Sequence, residues 1–418
     1  MKVLWISNIL FPEAEQLLSG AGELTSSGGW MLGAAEALIE HGEVELYVAS
    51  VSSKVMNLSK LKGKKIVYYV IPYGKGNKVY NLDYCPFWKQ IYDDLNPDIV
   101  HIHGTEFSHG LSYMKVCNVD NVVISIQGLL SVYYKYFYAG MTNGNILRNI
   151  TIRDLLRGTI YSDRSKFISR SKYELEMLQK AKHIIGRTSW DKSHVWAVNS
   201  NCKYYFCNET LRSPFYLGTR WNYRDCVKHS IFLSQAGVPF KGLHQVLKAM
   251  PIILRHYPNA IIRVAGTDLT KSDSLGDKLR LSGYGKYIRY LIKSLNLQGK
   301  VIFTGSLNGE QMKQEYLKAN IFICPSAIEN SPNSLGEAQI LGVPCVASNV
   351  GGVIDMMCGN EKNLYRFSDV EMLARKVCDI FEFQNNPSEM VSLAFERHNP
   401  IANAKQLLQI YKNIREQL

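Results

Sequence analysis

The sequence predicts an α/β protein of two domains, each built on a parallel sheet flanked by helices. Three observations predict it. Short apolar runs that read as strands alternate with helical periodicity along most of the chain. The 418 residues are enough for two hydrophobic cores. Between the alternating halves, 208–228 (NETLRSPFYLGTRWNYRDCVK) lacks clear periodicity and carries Pro214 and Gly218, the character of an interdomain linker. The expected domains are 1–208 and 209–400, followed by a last helix over 401–417.

In the first half the candidate strands are Lys2–Ser7, Val44–Val48, Ile66–Ile71, Ile99–His103, Val122–Ile126, Ala181–Arg187 and Tyr204–Cys207. The opening MKVLWISNILFPE reads as a strand, because a signal peptide needs a longer apolar region and a small-residue cleavage site. A Gly-rich loop, Gly20-Ala21-Gly22 to Ser27-Gly28-Gly29, separates this strand from a helix over Trp30–Leu38. It begins a dinucleotide fingerprint, but Thr25 ends it far from the strand, which argues against an oxidoreductase. His103 and Glu106 fall at a strand end, where together they can orient an acceptor or handle a proton. A buried structural histidine is the bland alternative. His101 alternates with His103 and points into the sheet layer or against a helix.

From 131 to 183 the composition changes. Tyrosines give way to Arg148, Arg153, Arg157, Arg164, Lys166, Arg170 and Lys172, interleaved with Leu147, Ile150, Leu155 and Leu156. This basic amphipathic segment fits docking on an anionic membrane face, or a solvated helix covering a cleft. Thr188 or Ser189 caps the helix that follows, with Trp190 expected in the core.

In the second half the strands are Ser230–Ser234, Ile261–Ala265, Val301–Thr304, Ile321–Cys324 and Val343–Ala347. Helices are expected over His244–Leu254, Tyr287–Leu295 and Met312–Ala319. Lys241, after a strand and just before Gly242 and a helix, is placed to meet a diphosphate. The stretch Ile321–Met357 carries the densest chemistry. Glu329 and Glu337 frame a loop and a helix start, able to accept from sugar and ribose hydroxyls. Asn333, Ser334 and Leu335 would offer unpaired N–H groups at that helix start, an anion site. Gly351 and Gly352 would let backbone approach a ligand closely.

The ordered set Pro325-Ser326, Glu329-x7-Glu337, Gly342-x-Pro344-x-Val346 and Gly351-Gly352 resembles the signature of retaining glycosyltransferases of family 4, which have the GT-B fold. The resemblance runs from about Val3 to the last helix, more loosely in the first half. It implies two Rossmann-like domains facing each other across a cleft, acceptor in the first and nucleotide-sugar donor in the second, with the C-terminal helix 401–418 crossing back. It also implies that Lys241 and the Ser334–Leu335 amides neutralise a departing diphosphate. Glu337 would hold the ribose, Glu329 the sugar, Gly305 would border the base, and Gly28 and Gly29 would close over the phosphates. Two positions depart from the pattern. Gln127 stands where many members carry His, and Gln235 where the family's Arg-x5-Lys-Gly has Arg, leaving Arg212 or Arg187 as replacement cations.

The implied activity is transfer of a sugar from a nucleotide-diphosphate-sugar to a hydroxyl of a glycan or lipid-linked acceptor, in surface-polysaccharide assembly. A nucleotide-sugar epimerase and a non-catalytic nucleotide-sugar-binding protein are the rivals. Neither a metal nor a cofactor is expected, since no Asp-x-Asp is present. The net charge of +12 invites nucleic acid as a partner, but no recognition module accompanies it, and anionic substrates or membrane suffice. With 46% apolar and 20% charged residues the chain reads as globular, and no apolar run approaches the ~18–20 residues of a membrane span. Nine cysteines without CxxC pairs point to reduced thiols and no structural zinc. The expected location is cytoplasmic, with peripheral attachment to the inner face of the plasma membrane.

Overall fold

The computed structural model describes residues 1–20, 29–73, 84–383 and 388–418. The chain divides into two compact units, one of 1–132, 166–213 and 397–418, the other of 133–165 and 214–396.

Among the described residues the first unit holds eight strands: β1 (Lys2–Ser7), β2 (Glu45–Ser52), β3 (Ser59–Lys62), β4 (Val67–Pro72), β5 (Ile99–His103), β6 (Val122–Ser125), β7 (His183–Gly186) and β8 (Lys203–Phe206). Their order is β3-β4-β2-β1-β5-β6-β7-β8, parallel except for the β3–β4 pair. β5, β6 and β7 are buried along their whole length, as expected where helices cover both faces of a parallel sheet. The helix Pro400–Arg415 completes this unit: Leu407, Ile410, Tyr411 and Ile414 share a core with Val3, Trp5, Met31 and Leu38. The Tyr411 hydroxyl accepts from Trp5 Nε1 at 3.0 Å and lies 2.6 Å from His101 Nδ1. His101 thus packs against a helix, and it shares its face of the strand with His103, whose ring stacks on it.

The second unit holds β9 (Ser230–Leu233), β10 (Ile261–Val264), β11 (Val301–Phe303), β12 (Ile321–Cys324), β13 (Cys345–Ser348) and β14 (Leu364–Tyr365). All pairs are parallel in the order β11-β10-β9-β12-β13-β14. Relabelled from one, this is 3-2-1-4-5-6, the doubly wound arrangement of dinucleotide-binding domains.

The division differs from the sequence expectation in three places. The break falls at Ser213–Pro214 and the return at Arg397, not at 208 and 401. Residues 133–165 join the second unit rather than the first, because Met141 and Ile146 enter its core and Thr151 Oγ1 donates to the Leu281 carbonyl at 2.8 Å. The basic segment is divided among several helices. It includes Asn143–Arg148, Ile152–Arg157 and Ile160–Lys180. β3 and β14 were not anticipated: one is an edge strand carrying two lysines, the other only two residues long. Thr188 caps its helix through a capping box with Asp191, while Trp190 is half-buried instead of core. All nine cysteines are free thiols. Among the described residues no helix is long and apolar enough to cross a membrane.

Candidate functional site

In the second unit the strand order reverses between β9 and β12. The loops leaving these two strands stand at the carboxyl edge where open α/β sheets take ligands. Lys241 ends the short turn Pro239–Lys241 after β9, and Glu329 lies in the loop after β12. The Lys241 ammonium is 2.5 Å from Glu329 Oε1, and Ser326 Oγ donates to the same oxygen at 2.7 Å. Both partners are largely buried, so water screens this pair poorly. Ser326 is a partner that the sequence reading missed as a functional residue; the Pro-Ser pair after an apolar run was its one visible signal.

Backbone contacts hold this loop on both sides. Ala327 N–H donates to the Phe240 carbonyl at 2.7 Å, and Gly352 N–H to the Glu329 carbonyl at 3.1 Å. Gly242 has φ +77° and Gly351 φ +53°; a Cβ on them would lie 1.7 Å from the Pro325 carbonyl oxygen and 1.8 Å from that of Glu329. The close approach that requires glycine at 351 is therefore to the protein's own loop, not to a ligand as expected. The two glycine turns grip residues 325–329 and fix the direction of the Glu329 carboxylate.

The helix Asn333–Leu341 follows, with Pro332 at its cap and no side-chain cap. Leu335 N–H donates to the Pro332 carbonyl at 2.9 Å, so it is not the unpaired amide expected there. Asn333 and Ser334 remain at the first turn, where an α-helix offers no internal acceptor for N–H groups. Asn333 Oδ1 is buried without a hydrogen-bond partner. The Ser334 carbonyl accepts from the Tyr316 hydroxyl at 2.9 Å, which anchors this turn to a neighbouring helix. Glu337, one turn further, is buried.

Gln235 and Gly305 lie elsewhere on the same edge. Gln235 lines a cavity of about 710 Å³ with Gly266, Arg153, Lys271 and Arg280, and Lys241 is not among its walls. Gly305 exchanges two backbone hydrogen bonds with Gly266, at 2.9 and 3.1 Å, and has open space around its α-carbon. The three cations come from two distant segments, which no spacing in the sequence could announce. Gly28 lies outside the described residues, and Gly29 opens the helix Gly29–His41. Among the described residues no group of three or more His, Cys, Asp or Glu side chains is arranged to hold a metal ion.

In the first unit the order reverses at β1 and β5, and His103 ends β5. Its ring stacks on His101 at 3.8 Å and packs against Trp5 and Trp30. Burial, then the Arg187 guanidinium, holds the His103 imidazole down at about 3, so it is neutral near neutral pH. Its Nε2 has no partner. A small cavity of about 50 Å³ joins it to Trp30, Arg187, Glu209 and Thr210. The pairing of His103 with Glu106 does not form: the Glu106 carboxylate accepts from Gly128 N–H at 3.1 Å, and burial pushes it up to about 7.

Gln127 belongs to a charge network. Its Nε2 donates to Glu209 Oε1 at 2.6 Å, and its Oε1 accepts from Arg187 at 3.4 Å. Arg187 and Glu209 form a buried ion pair, and Arg187 also donates to the Ile126 carbonyl at 2.8 Å. Arg187 is thereby committed to a network within the first unit.

Residues 228–417 match the family described as glycosyl transferases group 1. Over 117 residues the chain is 32% identical to an uncharacterized glycosyltransferase of Methanocaldococcus jannaschii, covering 28% of this chain and 26% of that protein. Over 80 residues it is 32% identical to a GDP-mannose-dependent alpha-mannosyltransferase of Corynebacterium glutamicum, 19% of each. The chain thus spans about a quarter or less of the length of these curated relatives. Among solved structures, a sucrose-phosphate synthase from Thermosynechococcus elongatus superposes with TM-score 0.68 at 16% identity over 100% of both chains. An E. coli trehalose-6-phosphate synthase bound with UDP-2-fluoro glucose gives 0.61 at 13% over 99% of each. S. aureus TarM in complex with fondaparinux, alpha-GlcNAc-glycerol and UDP gives 0.62 at 10%, over 98% of this chain and 99% of that one. At these identities the likeness is one of fold. The chain has the GT-B fold, and its residues 228–417 match the glycosyl transferases group 1 model.

Proposed function

We propose that this chain is a glycosyltransferase that moves a sugar from a nucleotide-diphosphate-sugar to a hydroxyl of a glycan or lipid-linked acceptor, with retention and without a metal. The observation that carries the reading is the Lys241–Glu329 contact, held between two glycine turns at the switch point of a 3-2-1-4-5-6 sheet. The family match over 228–417 supports it.

In this reading the Lys241 ammonium and the amides of Asn333 and Ser334 receive the departing diphosphate. As Lys241 turns to phosphate, the Glu329 carboxylate becomes an acceptor for sugar hydroxyls while Ser326 keeps it in place. Glu337 takes the ribose hydroxyls. The C–O bond to the β-phosphate breaks, the acceptor oxygen bonds to the anomeric carbon on the same face, and its proton passes to the leaving phosphate. The neutral His103 imidazole orients the acceptor hydroxyl by hydrogen bonding. Gln127, which cannot titrate, holds the Arg187–Glu209 pair beside it.

The test is a donor panel, read by release of nucleoside diphosphate with soluble and lipid-linked acceptors, by anomeric configuration of the product, and by insensitivity to chelator. Donor bound but never consumed would leave a sugar-binding protein. An altered donor without acceptor would mean an epimerase. Loss of turnover with chelator would remove the metal-free scheme.

A further inference from the structure

One surface of the second unit has no part in the proposed transfer. The helices Ile152–Arg157 and Leu275–Arg280 lie side by side although more than a hundred residues separate them. Thr151 Oγ1 donates to the Leu281 carbonyl at 2.8 Å, and Lys286 Nζ to the carbonyls of Arg148 and Ile150 at 3.3 and 3.4 Å. Each helix presents an apolar stripe to solvent. Ile152, Leu155 and Leu156 follow i, i+3, i+4 spacing, and Leu275 and Leu279 follow i, i+4. Leu155, Leu156 and Leu275 are 74, 77 and 80% exposed, and Leu147 on the adjoining helix is exposed as well. Single exposed leucines are ordinary; two stripes on adjoining helices are a patch.

Positive charge predominates around the patch, against Asp273, which is exposed two residues before Leu275. Arg148, Arg157, Lys278 and Arg289 are exposed. The two carboxylates within these helices, Asp154 and Asp277, are each engaged as the third residue of a capping box, with Thr151 and Ser274. Their charge therefore faces a helix N-terminus, and the cations around the leucines are left to meet an external anion.

We infer that this two-helix face docks on an anionic phospholipid surface, the leucines entering the headgroup boundary while arginine and lysine meet lipid phosphates. Apolar area plus cations on one small face is the composition that interfacial binding requires. The sequence alone pointed to 131–183 as a whole. The structure narrows the surface to Asn143–Arg148 and Ile152–Arg157 and adds a partner segment, 275–280, that lies outside it. The inference does not rest on the transfer reading, because binding is measured without turnover.

The experiment is sedimentation of the full chain with vesicles of phosphatidylcholine, with and without phosphatidylglycerol. Binding is expected only with phosphatidylglycerol and is expected to weaken with salt. Replacing three of the four exposed cations together (Arg148→Ser, Arg157→Ser, Lys278→Ser) should lower it on the order of a hundredfold. Leu155→Ser with Leu156→Ser and Leu275→Ser should lower it at least as far. All six side chains are exposed, so an unchanged unfolding midpoint distinguishes lost docking from lost fold. Equal binding to both vesicle types, or full binding by either triple variant, overturns the proposal. So does a wild-type dimer that the leucine changes dissolve while vesicles go unbound, since the face then seats a second copy of the chain.

Discussion

Glu329 and Lys241 are eighty-eight residues apart, yet the carboxylate oxygen of one lies 2.5 Å from the ammonium of the other. The contact places a mobile cation beside a fixed carboxylate, because Glu329 is gripped by backbone on both sides and Lys241 ends a long flexible stem. Lys241→Ala is expected to lower kcat by about 10²–10³-fold, the usual loss when one charge-stabilising donor is removed. Nucleoside diphosphate release under saturating donor measures it, and an unchanged rate would separate this cation from the chemistry.

Glu337→Ala should act on binding instead. In the proposed reading this buried carboxylate accepts from ribose hydroxyls, and its loss should raise the donor Kd by about tenfold to a hundredfold, as for a hydrogen bond to a charged group. Thermal shift against donor concentration reads this directly. A Kd equal to that of wild type would move the nucleoside elsewhere.

The two glycine turns should be far less tolerant than other left-handed glycines. Gly305 has open space around it, so Gly305→Ala is expected to cost only the left-handed backbone term, about 1–2 kcal/mol. Gly242→Ala and Gly351→Ala add a collision with a carbonyl oxygen and should cost well beyond that. Denaturant midpoints of the three variants give the order, and equal losses would mean the 325–329 loop is free to move.

Acid should unfold the protein through its buried imidazoles. Burial holds His103 at about 3 and His244 and His398 at about 4, below the ordinary 6.5. Their folded values are depressed, so the stability they contribute is present above 6.5 and is lost as pH falls toward 4. Glu106, raised to about 7, works in the opposite sense: it costs stability progressively as pH rises from about 4.5 to 7. A single substitution isolates one group. His398→Gln should flatten the stability-against-pH slope between about pH 4.5 and 6 by about 1.4 kcal/mol per pH unit. An unaltered slope would show that His398 is not buried neutral.

Tyr411→Phe removes the hydroxyl shared by Trp5 Nε1 and His101 and should destabilise the chain by about 1–3 kcal/mol, since both partners are buried. Chemical denaturation followed by tryptophan fluorescence measures it.

Most strands of both sheets were legible because buried parallel strands write themselves as short apolar runs. Ile99–His103 and Ile321–Cys324 were bounded to the residue. The motif residues were legible because each sits at a strand end or a helix start. What the sequence hid is non-local. Nothing in the composition of 133–165 says that Met141 and Ile146 pack into the later unit, since two apolar residues make no periodicity. Arg187 and Glu209 stand in different elements, and their pairing is set by the sheet, not by spacing. The Gly351 turn was read as a close approach to a ligand, and only the folded chain reveals that the Glu329 carbonyl stands against it.

The helix Pro400–Arg415 belongs to the unit whose first strand begins at Lys2. During synthesis, therefore, the sheet that contains Lys2 waits with one layer uncovered until Pro400–Arg415 has left the ribosome. By contrast, the last residues of the other unit are made earlier, so it can close first. Nascent chains stalled before residue 400 would carry an open apolar face around Trp5 and Met31, the species on which chaperones and proteases act.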